Sequence, residues 1–343
     1  MERRGLNIRK YFLGMILPIL RRLPLPVASR MIAGIGRAEY ALFEELRVAF
    51  DAAVARGAER LGCSWDVAEV GRALCGNQVR FRARDRLLDG VPDRRVEPLF
   101  LISGRDRLDE AGNEGKGVIL LSSHFGGHLL PAHWLYRQGY PLRFYMERPR
   151  HISKYLTRQF ETDGPLGQGK LFITRSKDDP TTSACSILRA ARVLSAGMLI
   201  YLAGDVRWSG QNTQAARFLG RTYRFSATWV RLAALTGAPV VPVFCQMRPE
   251  GTYRIEFRPP FRVPEDAPRT GQTLHWVQSF LDLLEEQVRL YPDNSNEYFF
   301  WPESDEVAAR PPAPAPGSAG SARGDPRWQG ARSAGRWRGS GPG

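Results

Sequence analysis

From about Gly115 onward the chain alternates short apolar runs with segments of helical period, and no other feature limits its fold so strongly. The runs at 118–122, 142–146, 171–174, 198–203, 240–245 and 253–257 are short and rich in aliphatic or aromatic residues, as strands are. Between them, 129–138, 153–160, 183–194 and 227–235 carry apolar residues at helical spacing. A long amphipathic helix is predicted over 273–290, with Pro292 as its stop. Alternating strands and helices predict an α/β layered domain, with helices on both faces of a largely parallel central sheet.

The first 100 residues read differently. They are mostly helical, with one apolar stripe over 39–60 (Ala41, Leu42, Phe43, Leu46, Phe50, Ala53, Val54) and a shorter helix over 65–74. Beyond about Glu306 the composition collapses to Pro, Ala, Gly, Ser and Arg, a mixture that cannot bury enough apolar surface to offset ordering. The predicted organisation is therefore a helical region over 1–100, an α/β domain over 101–305 and a disordered tail over 306–343.

The formal charge of +14 points to an anionic partner: nucleic acid, a membrane surface or an acidic substrate. No zinc spacing, RNP-like strand or basic heptad accompanies the charge, so nucleic acid is not the expected partner. The four cysteines, Cys63, Cys75, Cys185 and Cys245, show no ligand spacing and are expected to be buried thiols rather than a metal site or disulfide framework. No apolar run reaches the roughly 18–20 residues that span a bilayer. The best stretch, Tyr11 to Leu20, is short, contains Pro18 and is followed by Arg21-Arg22. It is expected to lie in the headgroup region as a basic amphipathic segment rather than to be cleaved as a signal.

The chemistry concentrates in Ser122-Ser123-His124-Phe125-Gly126-Gly127-His128-Leu129-Leu130, where a predicted strand gives way to a predicted helix. In open α/β sheets ligands bind at the carboxyl ends of strands, and the two glycines permit close approach of a ligand or of backbone. An imidazole, with an ordinary pKa near about 6.5, suits proton abstraction near neutral pH. This block resembles the His-Phe-Gly-Asn-Trp-Glu block of the bacterial acyltransferases that finish lipid A and related glycolipids. These belong to the lysophospholipid acyltransferase superfamily, whose signature is His-x4-Asp/Glu. Five residues after His124 this chain has Leu129, which cannot orient an imidazole.

Three further blocks resemble the family in order. Arg143-Phe-Tyr-Met-Glu147-Arg148-Pro149, leading to Arg158, is similar to an Arg-Pro block of the family, with guanidiniums suited to gripping phosphate. Asp205, then Arg217-Phe218-Leu219-Gly220, is similar to Asp-Gln followed by Phe-Phe-Gly. The most specific match is Leu232-Ala-Ala-Leu-Thr236-Gly237-Ala238-Pro239-Val240-Val241-Pro242-Val243-Phe244, a helix, a Gly stop and a buried strand. Asn296-Glu-Tyr-Phe-Phe-Trp301 is weakly similar to the family's aromatic closing segment.

The resemblance implies a membrane-peripheral or monotopic acyltransferase at the cytoplasmic face of the inner membrane. It would have no bound cofactor or metal. Its acyl donor would be an acyl carrier protein or acyl-CoA thioester, and its acceptor a glycolipid or phospholipid. Candidate catalytic residues are His124, Asp205 and Glu147, the carboxylates by their strand-end positions. Candidate substrate and phosphate contacts are Arg148, Arg158, Gly126, Gly127, His128 and Arg217. With Leu129 in the acid's place, three readings stand open: Asp205 or Glu147 orients His124; His128 substitutes; or the site is degenerate and the protein binds lipid without transferring an acyl group.

Overall fold

A computed structural model describes residues 15–302 except 89, 148–169, 174–179, 209, 211 and 296. The expected helix over 153–160 and the expected disordered tail lie outside the described residues. Those that are described belong to one compact unit.

After a helical stretch over 15–20 come helices Leu25–Leu42, Glu44–Leu61 and Val67–Leu88. The stripe predicted as one helix over 39–60 is two, because Phe43 takes an extended conformation (φ −110°, ψ 103°) between them. The helix predicted over 65–74 runs about four turns further, to Leu88. The helical region ends where β1 (Phe100–Ser103), a strand absent from the sequence reading, begins.

The remaining strands are β2 (Val118–Ser122), β3 (Leu142–Glu147), β4 (Lys170–Ile173), β5 (Leu199–Ala203), β6 (Thr213–Phe218), β7 (Arg221–Ser226), β8 (Val240–Met247) and β9 (Tyr253–Phe257). Seven form one sheet in the order β1-β9-β8-β2-β5-β3-β4, and β6 and β7 pair as a separate antiparallel ribbon. Every neighbouring pair in the large sheet is parallel except β8–β9. The layered, largely parallel architecture expected from the sequence is therefore present. β2 lies in the middle of the sheet and is buried on both faces, which is why it reads as an unbroken apolar run.

Alternation along β2 assigns its side chains to two cores. Ile119 and Leu121 join Phe50, Trp229, Phe244, Phe280 and Leu284 on one face. Val118 and Leu120 join Leu25, Ile32, Val79, Leu130, Leu135 and Ile255 on the other. The helices Glu44–Leu61, Thr228–Thr236 and Thr273–Leu290 cover the first face; Leu25–Leu42, Val67–Leu88, Arg105–Asn113 and Leu130–Arg137 cover the second. No helix among the described residues is long and apolar enough to cross a membrane. Cys75 and Cys245 are buried and Cys63 is half-buried, but Cys185 is exposed, against the expectation for it.

Candidate active site

Strand register brings the site together. β2 and β5 run parallel with Ser122 opposite Ala203. Two residues further along each chain stand His124 and Asp205, so they leave the sheet side by side at its carboxyl edge. The Gly204 N–H, bonded to the Ser122 carbonyl at 2.8 Å, keeps the two chains paired up to that point.

Asp205 lies under His124. Its Oδ1 and Oδ2 are 3.0 and 3.1 Å from His124 Nδ1, and the His124 backbone N–H donates to Oδ2 at 2.8 Å. The Tyr298 hydroxyl donates to the same Oδ2 at 2.7 Å. Asp205 is 1 % exposed. Burial alone would raise its pKa; the adjacent imidazole and the donated hydrogen bonds outweigh burial and hold the carboxyl below its ordinary value. An ionised Asp205 can only accept, so Nδ1 carries a proton, and in the neutral imidazole the lone pair is on Nε2. The His124 side chain is 39 % exposed, so a substrate can reach it.

The turn after His124 is fixed by backbone. Gly126 has φ +52°, and a Cβ there would lie 2.0 Å from the Cys245 carbonyl oxygen. Its N–H donates to the Asn294 carbonyl and that of Gly127 to the Cys245 carbonyl, both at 2.8 Å. The close approach these glycines permit is made by the protein's own chain. The buried Tyr201 hydroxyl lies 2.7 Å from Ser122 Oγ and against the His128 carbonyl, tying down the far side of the turn.

His128 packs edge-on against His124, with ring centroids 5.0 Å apart, and against Phe81 at 4.8 Å. Its Nδ1 is buried with no hydrogen-bond partner among the described residues. Burial, then the neighbouring His124 and Arg84, press its pKa well below the ordinary histidine value, so it stays neutral. His124 Nδ1 is held by Asp205 rather than by His128. Leu129 is the cap residue of the Leu130–Arg137 helix, half-buried against the apolar layer on that face.

The other candidates are more remote. Glu147 ends β3, and β5 lies between β3 and β2, so its backbone is a full strand further from His124 than that of Asp205; its side chain lies outside the described set. Arg148 and Arg158 also lie outside the described residues. Arg217 is exposed on the β6–β7 ribbon, where its backbone N–H and carbonyl pair with the Gln278 side chain at 2.9 Å each. Among the described residues no group of three or more His, Cys, Asp or Glu side chains is arranged to hold a metal. Tyr298 is a site residue that its sequence surroundings do not reveal. It stands in an aromatic run that reads as core, and nothing local marks its hydroxyl as different.

A half-open imidazole at the carboxyl edge of a central strand, backed by a sealed carboxylate on the next strand, is an α/β site arranged for general-base chemistry. Residues 84–301, more than half of the chain, match the bacterial lipid A biosynthesis acyltransferases, and the chain belongs to that family. No curated protein matches it.

Proposed function

We propose that the protein transfers a fatty acyl chain from an acyl carrier protein or CoA thioester to a hydroxyl or amine of a glycolipid or lysolipid acceptor, in lipid A-type biosynthesis. The observation that carries this reading is the His124–Asp205 pair, which supplies a carboxylate where the family's position holds Leu129. Nε2 of His124 takes the proton from the acceptor as its oxygen or nitrogen attacks the thioester carbonyl carbon. The tetrahedral intermediate collapses with cleavage of the carbon–sulfur bond, and the imidazolium returns the proton to the departing thiolate. Asp205 keeps Nε2 free of its proton beforehand and balances the imidazolium afterwards.

The test is acyl transfer by the full chain with each thioester donor. His124→Ala lowers the rate by roughly 10²–10⁴, and Asp205→Asn, which no longer dictates the tautomer, lowers it by a similar factor. Unchanged transfer by His124→Ala rejects the assignment, and lipid binding without transfer by the wild type identifies a degenerate member of the family.

We also propose that the protein acts at a membrane surface, peripherally or monotopically, on the cytoplasmic face. The +14 charge and the exposed apolar side chains Met15, Ile19, Leu42 and Phe43 in the helical region favour this. Co-sedimentation with phosphatidylglycerol vesicles is expected, weakening as salt rises from about 0.05 to 0.5 M because surface charges are screened. Equal recovery with and without vesicles at low salt rejects it.

A further inference from the structure

We infer that Tyr298 is a positioning residue for the acyl-transfer centre: its hydroxyl fixes Asp205, and through Asp205 sets the proton affinity of His124. The inference rests on the acyl-transfer reading above.

The Asp205 side chain has two oxygens and is sealed from water, so the donors around it decide where its charge sits. Oδ2 takes the His124 backbone N–H at 2.8 Å and the Tyr298 hydroxyl at 2.7 Å, while both oxygens face Nδ1 of His124. Tyr298 arrives from the closing segment, 93 residues after Asp205, on the short 3-10 turn Tyr298–Phe300. Its ring is 1 % exposed and clamped edge-on by Phe218 at 5.2 Å and Trp301 at 5.1 Å. Core tyrosines commonly reach their hydroxyl to a carbonyl or to the surface; this one is spent on the carboxylate under the candidate base. Burial, then the Asp205 charge, push the Tyr298 pKa well above its ordinary value, so the group remains a donor throughout the working pH range.

Among the described residues, the other charged and titratable groups acting on the pair stay constant when Tyr298 changes. His128 faces His124 from the turn, and Arg84 acts on His128 from the Val67–Leu88 helix. Tyr201 on β5 feels Asp205, and Glu297 adjoins Tyr298. A hydroxyl donated to the carboxylate stabilises the pair in its unprotonated form. Without that donor the pair takes up a proton more readily, so the population with an unprotonated Nε2 declines from a higher pH.

The experiment is Tyr298→Phe in the full chain. kcat falls about tenfold, the scale of one hydrogen bond to a charged group, while KM stays within about twofold. The acidic limb of the kcat/KM profile moves up by about half a pH unit or more. The His124 imidazole titration, followed by NMR, moves the same way. Trp301→Phe, which thins the same aromatic packing and keeps the hydroxyl, leaves both midpoints in place. If Tyr298→Phe unfolds, 3-fluorotyrosine in its place is a stronger donor and moves both midpoints down. Midpoints that stay fixed in the Tyr298 variants overturn the inference, even with a lowered rate. If the wild type transfers no acyl group, the functional reading fails, and the NMR titration still decides the role of Tyr298.

Discussion

His124 needs a hydrogen-bond acceptor at Nδ1, and an acceptor from the next strand serves as well as one from the next helical turn. Asp205 fills that place at 3.0 Å, which leaves position 129 free to be apolar. Leu129 then caps its helix and packs on the layer containing Leu130 and Leu135. His128 makes a separable contribution. Its folded-state pKa is depressed, so below about pH 6.5 the unfolded chain binds a proton that the folded chain refuses. Its contribution to stability is whole above that pH. It is lost on acidification at up to about 1.4 kcal/mol per pH unit and levels off once the folded-state pKa is passed. His128→Gln should therefore flatten the acid side of the stability profile, measured by urea unfolding between pH 7 and 5, relative to the wild type. Parallel profiles for the two proteins would show that His128 titrates normally in the fold.

At the scale of elements, the strand-to-helix turn is held by carbonyls of β8 and of the closing segment. Gly126→Ala would put a Cβ within 2.0 Å of the Cys245 oxygen at φ +52°. Strain and displacement of β8 together should cost at least about 2 kcal/mol in denaturant unfolding. They should also lower acyl transfer, because His124 is two residues away; a variant as stable as the wild type would refute the argument. Much of this element was legible in the sequence. β2 was, because burial on both faces leaves only apolar residues; the glycines were, because a turn this tight excludes a side chain. The choice of Asp205 over Glu147 was not, because it depends on β5 lying between β2 and β3, and strand order is a property of the sheet. The β6–β7 ribbon also escaped. Ala216, Phe218, Tyr223 and Phe225 alternate with polar residues, but the turn between the two runs places Leu219 and Gly220 at φ +51° and +73° instead of using Asn-Gly, so no hairpin signal joins them.

For the molecule as a whole, the family match begins at residue 84, part-way along the Val67–Leu88 helix, yet the fold does not begin there. Leu25, Ile32, Val79 and Ala83 are buried in the layer that covers Val118 and Leu120. Arg80, 3 % exposed, stitches the helical region to the sheet. It donates to Ser29 Oγ at 3.0 Å, Asn77 Oδ1 at 3.2 Å, and the carbonyls of Arg248 at 2.7 Å and Thr252 at 3.2 Å. Asn77 in turn donates to the backbone and carboxylate of Asp293, next to the Asn294 side chain that accepts from the Met247 N–H at 2.6 Å. One polar network thus joins the first helices, the β8–β9 turn and the segment leading to Tyr298. Removing the guanidinium strands several buried acceptors at once, each worth about 1–3 kcal/mol when left unsatisfied. Arg80→Ala is therefore expected to lose about 3 kcal/mol or more in guanidinium unfolding, with faster amide exchange in both the Leu25–Leu42 helix and β9. A chain starting at residue 84 should fail to fold cooperatively, because the apolar layer over β2 loses a large part of its cover. A sharp thermal transition in that shortened chain would mean that the helical region is an attachment to the α/β unit and not a part of its core.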